Sequence, residues 1–127
     1  MIAIDTSALI AILQNEPEAE RCIAVIERED RLVMSAATVA EALIVSERRN
    51  VGDEMGRLID GLAIEIVSVT VASAGRLAAC YRRWGKGLHP AGLNFGDCFA
   101  YDVAKEHGCP LLYVGEDFSR TDLAASV

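Results

Sequence analysis

Short apolar runs alternate with longer amphipathic stretches along most of this chain. Met1-Ile2-Ala3-Ile4 is uniformly apolar and too short for a helix, so a buried strand is expected there, with Ala8 to Leu13 following as a helix. Asn15-Glu16-Pro17 breaks the chain. Pro17 suits the first position of a second helix over 17–29, whose apolar face uses Cys22, Ile23, Val25 and Ile26. Arg31 to Ser35 reads as a second strand. A helix from Thr38 to Arg49 comes next, with Val39, Leu43 and Ser46 along one side; Val51-Gly52 punctuates it, and a further helix runs to Leu62. Ile64 to Val67 is a third strand, and Thr70 caps a long helix reaching Trp84. Beyond the glycine-rich loop 85–92, Phe95, Phe99 and Val103 recur at four-residue steps with Ala100 and Ala104 beside them. That spacing predicts an amphipathic helix with a buried stripe. It stops at Gly108, Pro110 to Val114 forms a fourth strand, and Ala124 to Val127 is a candidate fifth.

Strands that are short and uniformly apolar, separated by helices, imply an α/β fold whose parallel sheet is covered on both faces. Such sheets carry their sites at the carboxyl ends of the strands. The 127 residues make one domain, large enough to bury roughly two thirds of the unfolded surface. Hydrophobic residues are 52% but aromatics only 6%, so the core is aliphatic. No apolar run approaches the ~20 residues that cross a bilayer, and the N-terminus lacks a signal peptide's charged region; a cytoplasmic protein without a membrane partner is expected. Cys22, Cys80, Cys98 and Cys109 have no CxxC spacing, which favours reduced, buried thiols over a zinc or redox centre. A net charge of −7 argues against a purely electrostatic nucleic-acid binder. It leaves room for a nuclease, since acids gathered around divalent cations are neutralised in use.

Four carboxylates fall on the expected functional edge. Asp5 lies just past the first strand, Glu41 in the first turn of the helix after the second, Asp97 at the start of its helix, and Asp117 past the fourth strand. Each has a plainer reading. Asp5 suits a helix N-cap, Thr38-x-x-Glu41 fits a capping box and Asn94-x-x-Asp97 a looser one, and Asp117 fits a turn. Independent capping gives no reason for an acid after nearly every strand on one rim. Two carboxylates ~4 Å apart repel by ~4 kcal/mol at an effective dielectric of 20, so several together are costly without cations. Oxygen donors without cysteine or histidine favour Mg²⁺ or Mn²⁺, which activate water and stabilise both entering and leaving oxygens of a phosphodiester.

Ile4-Asp5-Thr6-Ser7-Ala8-Leu9, Ser35 through Ala42, Asn94-Phe95-Gly96-Asp97-Cys98 and Gly115-Glu116-Asp117-Phe118 resemble the PIN-domain ribonucleases, and within them the VapC-type toxins of toxin–antitoxin pairs. The resemblance spans essentially the whole chain. It implies a PIN-like α/β/α sandwich with a central parallel sheet of four or five strands. It also implies an acidic quartet of Asp5, Glu41, Asp97 and Asp117, with Asp5 and Asp97 as metal ligands for Mg²⁺ or Mn²⁺ and Thr6 or Ser7 hydrogen-bonding within the site. The implied partners are an RNA substrate, a cognate VapB-like antitoxin and a second copy in a homodimer. Glu116 departs from the family's usual Asn or Asp. Asp102 occupies a position usually apolar or small; at ~140° around the helix from Asp97 it is expected on the surface.

Arg82, Arg83 and Lys86 are a candidate RNA-phosphate contact, or a solvated helix end favoured by the macrodipole, and Arg48 and Arg49 invite the same two readings. Trp84 suits core or dimer packing better than base stacking. His89 and His107 are isolated, which disfavours metal-free cleavage by a histidine pair. A haloacid-dehalogenase-type phosphatase needs a second Asp where Ser7 stands, and a response-regulator receiver needs an acidic pair near Asp5. Two readings within the PIN class stay open beside the toxin: a catalytically silent protein-binding module and a housekeeping nuclease.

Overall fold

A computed structural model describes residues 1–123, so the fifth strand expected at Ala124–Val127 lies outside the described residues. In chain order the elements are β1 (Ile2–Ile4), α1 (Thr6–Leu13), α2 (Ala19–Arg28), β2 (Leu32–Ser35), α3 (Ala36–Arg48), α4 (Gly52–Gly61), β3 (Glu65–Val67), α5 (Val71–Trp84), α6 (Phe95–His107) and β4 (Leu111–Leu112), with a 3₁₀ turn at Phe118–Arg120. The strands form one sheet in the order β3-β2-β1-β4, every pair parallel. Ala3 lies between Val33 and Leu111, so β1 is central although it comes first in sequence.

Neighbouring strand residues point to opposite faces, and this sorts the core into two halves. Ile2, Ile4, Leu32, Met34 and Leu112 face α1, α2, α3 and α4, where they meet Leu9, Cys22, Val25, Ala42 and Met55. Ala3, Val33 and Leu111 face α5 and α6, meeting Cys80, Trp84, Cys98, Tyr101 and Val103. The result is the expected α/β/α sandwich. Each fully buried Ile or Leu contributes about 1.5–3 kcal/mol, and the strands need this because they are too short to persist alone. On the second face Ala3, Ala100 and Ala104 are all but inaccessible. These small side chains let α6 lie close over β1 and β2, which carries its first turn to the carboxyl edge of the sheet.

Several local expectations shift. Helix α2 starts at Ala19, with Pro17 in the preceding turn, and Ile23 on that helix is exposed. Helix α3 starts at Ala36 because Ser35 caps it, its Oγ accepting the Ala37 N–H at 3.2 Å. Thr38 is therefore no cap, and Glu41 sits in the second turn instead of the first. Phe95 does not join the buried stripe: it is 71% exposed, projecting from the first turn of α6 with Phe99 against it edge-on. The end of α6 is as expected. Gly108 takes φ +59°, a left-handed conformation that glycine adopts without a Cβ penalty.

Candidate active site

Asp5 continues β1 by one residue, its N–H donating to Leu112 O at 2.9 Å, and then caps α1. One carboxylate oxygen, Oδ2, accepts from the Ser7 N–H at 3.1 Å and from Ser7 Oγ–H at 2.6 Å. Ser7 Oγ in turn accepts the Val114 N–H at 3.0 Å, which ties the end of β1 to the segment after β4. The other oxygen, Oδ1, is buried without a partner among the described residues. Asp5 is 5% exposed, and burial pushes its carboxyl up from the usual range; the Ser7 bonds oppose that rise and the charge of Glu41 adds to it. The N-cap reading is thus correct but accounts for only one of two oxygens.

Glu41 reaches the same place from α3. Thr6 Oγ1–H lies 2.8 Å from Glu41 Oε1 and 3.3 Å from Thr38 O, so its single proton is shared between an acid and a carbonyl. Across the gap stands Gly96, on the first turn of α6. A Cβ at Gly96 would overlap Glu41 Oε2, so a larger residue there would push the Glu41 carboxylate from its present position.

Asp97, on the same turn, forms the reciprocal cap with Asn94: Asp97 N–H donates to Asn94 Oδ1 at 2.8 Å, and Asn94 N–H donates to Asp97 Oδ2 at 3.0 Å. Its carboxyl is pushed up to about 6, first by burial and further by the charges of Asp5, Asp117 and Glu41, against the Asn94 bond that lowers it. Asp5, Thr6, Ser7, Glu41 and Asp97 line one cleft of about 330 Å³. Asp117 does not line it. It is exposed at the start of the 3₁₀ turn, where its charge still reaches Asp97.

Among the described residues no three His, Cys, Asp or Glu side chains form a ready-made metal cage. Mg²⁺ requires none, since it keeps several waters and binds through one or two carboxylates. The orphaned Asp5 Oδ1 and the raised carboxyls of Asp5 and Asp97 are what a hard cation would relieve, so the donor set fits such an ion.

The PIN-domain family model matches residues 2–123. The chain belongs to the PIN-domain family. Within it the likeness is to VapC-type ribonucleases. Ribonuclease VapC30 of Mycobacterium tuberculosis is 46% identical over 127 residues, covering 97% of this chain and 96% of that protein. A Ribonuclease VapC of Mycolicibacterium smegmatis is 47% identical over 130 aligned residues, covering 98% of each. Two solved structures share the fold. The crystal structure of Mycobacterium tuberculosis VapC20, described as a sarcin-ricin-loop-cleaving toxin, superposes with a TM-score of 0.80 at 15% identity, over 98% of this chain and 97% of that one. A toxin–antitoxin complex from Klebsiella pneumoniae gives 0.74 at 17% identity, over 100% and 98%.

The other singled-out residues of this VapC-type PIN domain divide sharply. Arg82, Arg83 and Lys86 do not line the cleft: Arg83 lies 4.4 Å over the Trp84 ring and 3.6 Å from Asp122, and Arg82 and Lys86 are exposed. Trp84 is buried, its Nε1–H donating to Tyr101 Oη at 3.1 Å. All four cysteines are free and buried. Glu116 is exposed, 3.7 Å from Arg120. Asp102 overturns the surface expectation. It is 9% exposed, because α5 packs over that flank of α6 and brings Arg76, whose Nε–H and Nη2–H donate to the two carboxylate oxygens at 2.8 and 3.1 Å. The angle around the helix was right; the neighbouring helix was not foreseeable from it.

Glu16, just after α1, also lines the cleft, and nothing in the sequence separates it from Glu18 and Glu20. Of the pair Arg48 and Arg49, Arg49 lines the cleft wall at the end of α3, where Glu41, Val45 and Arg49 recur at four-residue steps on one helix face, and Arg48 does not.

Proposed function

We propose that this PIN domain is a Mg²⁺- or Mn²⁺-dependent endoribonuclease toxin that hydrolyses RNA phosphodiester bonds. The single observation that carries the reading is the pair Asp5 and Asp97, two raised carboxyls on one cleft with Asp5 Oδ1 unpartnered. In this reading Asp5 and Asp97 hold the ion. Bound there, a divalent cation activates water and offsets charge on the phosphodiester. Ser7 keeps Asp5 Oδ2 occupied and leaves Oδ1 as the oxygen without a partner, and Ser7 is itself fixed by Val114. Thr6 orients Glu41, which takes up a proton from water entering the cleft. Asp117 adds negative potential from the rim, which favours cation capture.

Family membership also supports two protein partners, a cognate VapB-like antitoxin and a second copy of the chain. A catalytically silent module is disfavoured, because a scaffold gains nothing from buried acids that repel one another. The test is thermal melting of the wild type, Asp5→Asn and Asp97→Asn with Mn²⁺ and then EDTA, alongside cleavage of total cellular RNA. The wild type should melt higher with Mn²⁺, lose that gain in EDTA and cut RNA; both variants should stay folded and do neither. Melting indifferent to millimolar metal would remove the basis of the reading.

A further inference from the structure

We infer that Arg49 forms a phosphate subsite for a nucleotide flanking the scissile bond, a role that rests on the nuclease reading above. A polyanionic strand entering an acidic cleft needs a cation beside it, and the cluster at 82–86 is elsewhere. Among the described residues lining the cleft, Arg49 is the single basic side chain.

Its position sets which phosphate it meets. Glu41 and Arg49 bound one wall of the cleft on the same face of α3, eight residues apart, which is ~12 Å along a helix axis. Val45 lies between them and offers a strand no competing polar group. The guanidinium is held at the α1 end of the cleft, where its Nη1–H donates to Gln14 Oε1 at 2.6 Å. An RNA strand whose scissile phosphate lies at Asp5 and Asp97 therefore passes Arg49 with a neighbouring phosphate.

What holds Arg49 now is easily exchanged. Gln14 is a neutral acceptor, and Glu16 stands 3.9 Å from Nη1 with Arg49 47% and Glu16 36% exposed, an ion pair of little strength. A phosphate oxygen offers a shorter, charge-assisted bond to the same guanidinium. Gln14 and Glu16 thus hold the guanidinium at the cleft wall until a strand displaces them, and Glu16 weakens that exchange by its charge.

Binding of a fluorescein-labelled single-stranded RNA in EDTA, followed by anisotropy at several salt concentrations, tests this without cleavage. Arg49→Ala should weaken binding about tenfold and reduce the slope of log affinity against log salt by ~0.7, one phosphate contact to a single strand. Arg49→Lys should restore most of the slope, and Glu16→Gln should tighten binding with the slope unchanged. In Mn²⁺, Arg49→Ala should raise KM for an oligonucleotide with little change in kcat, and leave a dinucleotide substrate unaffected. A slope unchanged in Arg49→Ala, or no measurable RNA binding by the wild type, overturns the inference. Wild-type RNA cleavage beside an unchanged slope sinks this subsite alone; a lowered slope with no wild-type cleavage sinks the nuclease reading alone. A merely structural Arg49, clamping α3 to α1, would show as a lower Tm in Arg49→Ala with the salt slope intact.

Discussion

Asp97 and Asp102 share helix α6, five residues apart, and the fold treats them in opposite ways. Asp102 lies against Arg76, which reaches both of its oxygens, and Glu106 stands 3.5 Å from the same guanidinium. Asp97 receives only a backbone N–H from Asn94 and shares its surroundings with Asp5, Glu41 and Asp117. One carboxylate has its counter-charge built in. The other leaves an electrostatic cost standing in the folded protein, which a cation from solution would remove. Burial alone therefore does not separate the two acids; the presence or absence of a neighbouring basic side chain does.

The comparison breaks most visibly at activity. Asp5→Asn or Asp97→Asn should lower the initial rate of RNA cleavage in Mn²⁺ by about a thousandfold or more, ~4 kcal/mol of transition-state stabilisation. Asp102→Asn should leave the rate per folded molecule near wild type. Equal losses in the two classes would mean that the contrast is false.

Stability should move the other way. Asp102→Ala strands Arg76, and because Arg76 is 40% exposed the cost is well short of a fully buried pair, about 2 kcal/mol in urea unfolding. A double-mutant cycle with Arg76→Ala sharpens this, since the second change should then cost little. Ser7→Ala removes the group that occupies Asp5 Oδ2, and should weaken Mn²⁺ affinity by about ten- to a hundredfold with the fold retained, as read by titrated melting.

The smallest effect is in pH. Asp97 keeps its proton up to about pH 6 in the fold, against 3.8 for a free side chain. Between those values folding takes up a proton at Asp97, so the contribution of Asp97 to metal-free stability is fully present below pH ~4 and is lost as pH rises through about 6. Partial exposure holds the decline to about 1 kcal/mol. Asp97→Asn should flatten it and melt above the wild type at pH 8 in EDTA, while buried Asp5, raised for the same reason, preserves the rest of the slope.

The alternation of strand and helix was legible because each apolar run is short and bounded by breakers, and the convergence of Asp5, Glu41 and Asp97 was legible because the ends of parallel strands share one edge, whereas Asp117 stays outside the cleft. Boundaries failed where two caps competed: Ser35 and Thr38 are both good N-caps, and only the end of β2 chooses between them. Phe95 misled because the four-residue stripe continues one turn past the sheet that α6 covers. Asp102 misled because its partner lies 26 residues away on another helix. Charge clusters were an uneven guide to the cleft: Arg82-Arg83 records a helix end away from it, whereas of Arg48-Arg49 the second residue lines it, where α3 stops.

The bond from Val114 to Ser7 spans 107 residues of sequence. A ribosome making this polypeptide delivers Asp5 almost at once, yet the amide that steadies its neighbour is among the late arrivals. Until Leu111 and Leu112 are laid beside Ala3 and Ile4, a half-made chain carries Asp5, Glu41 and Asp97 without the Asp5-to-Leu112 and Val114-to-Ser7 hydrogen bonds that complete the first of them. The blade of this molecule is set only after nearly all of the handle has been forged.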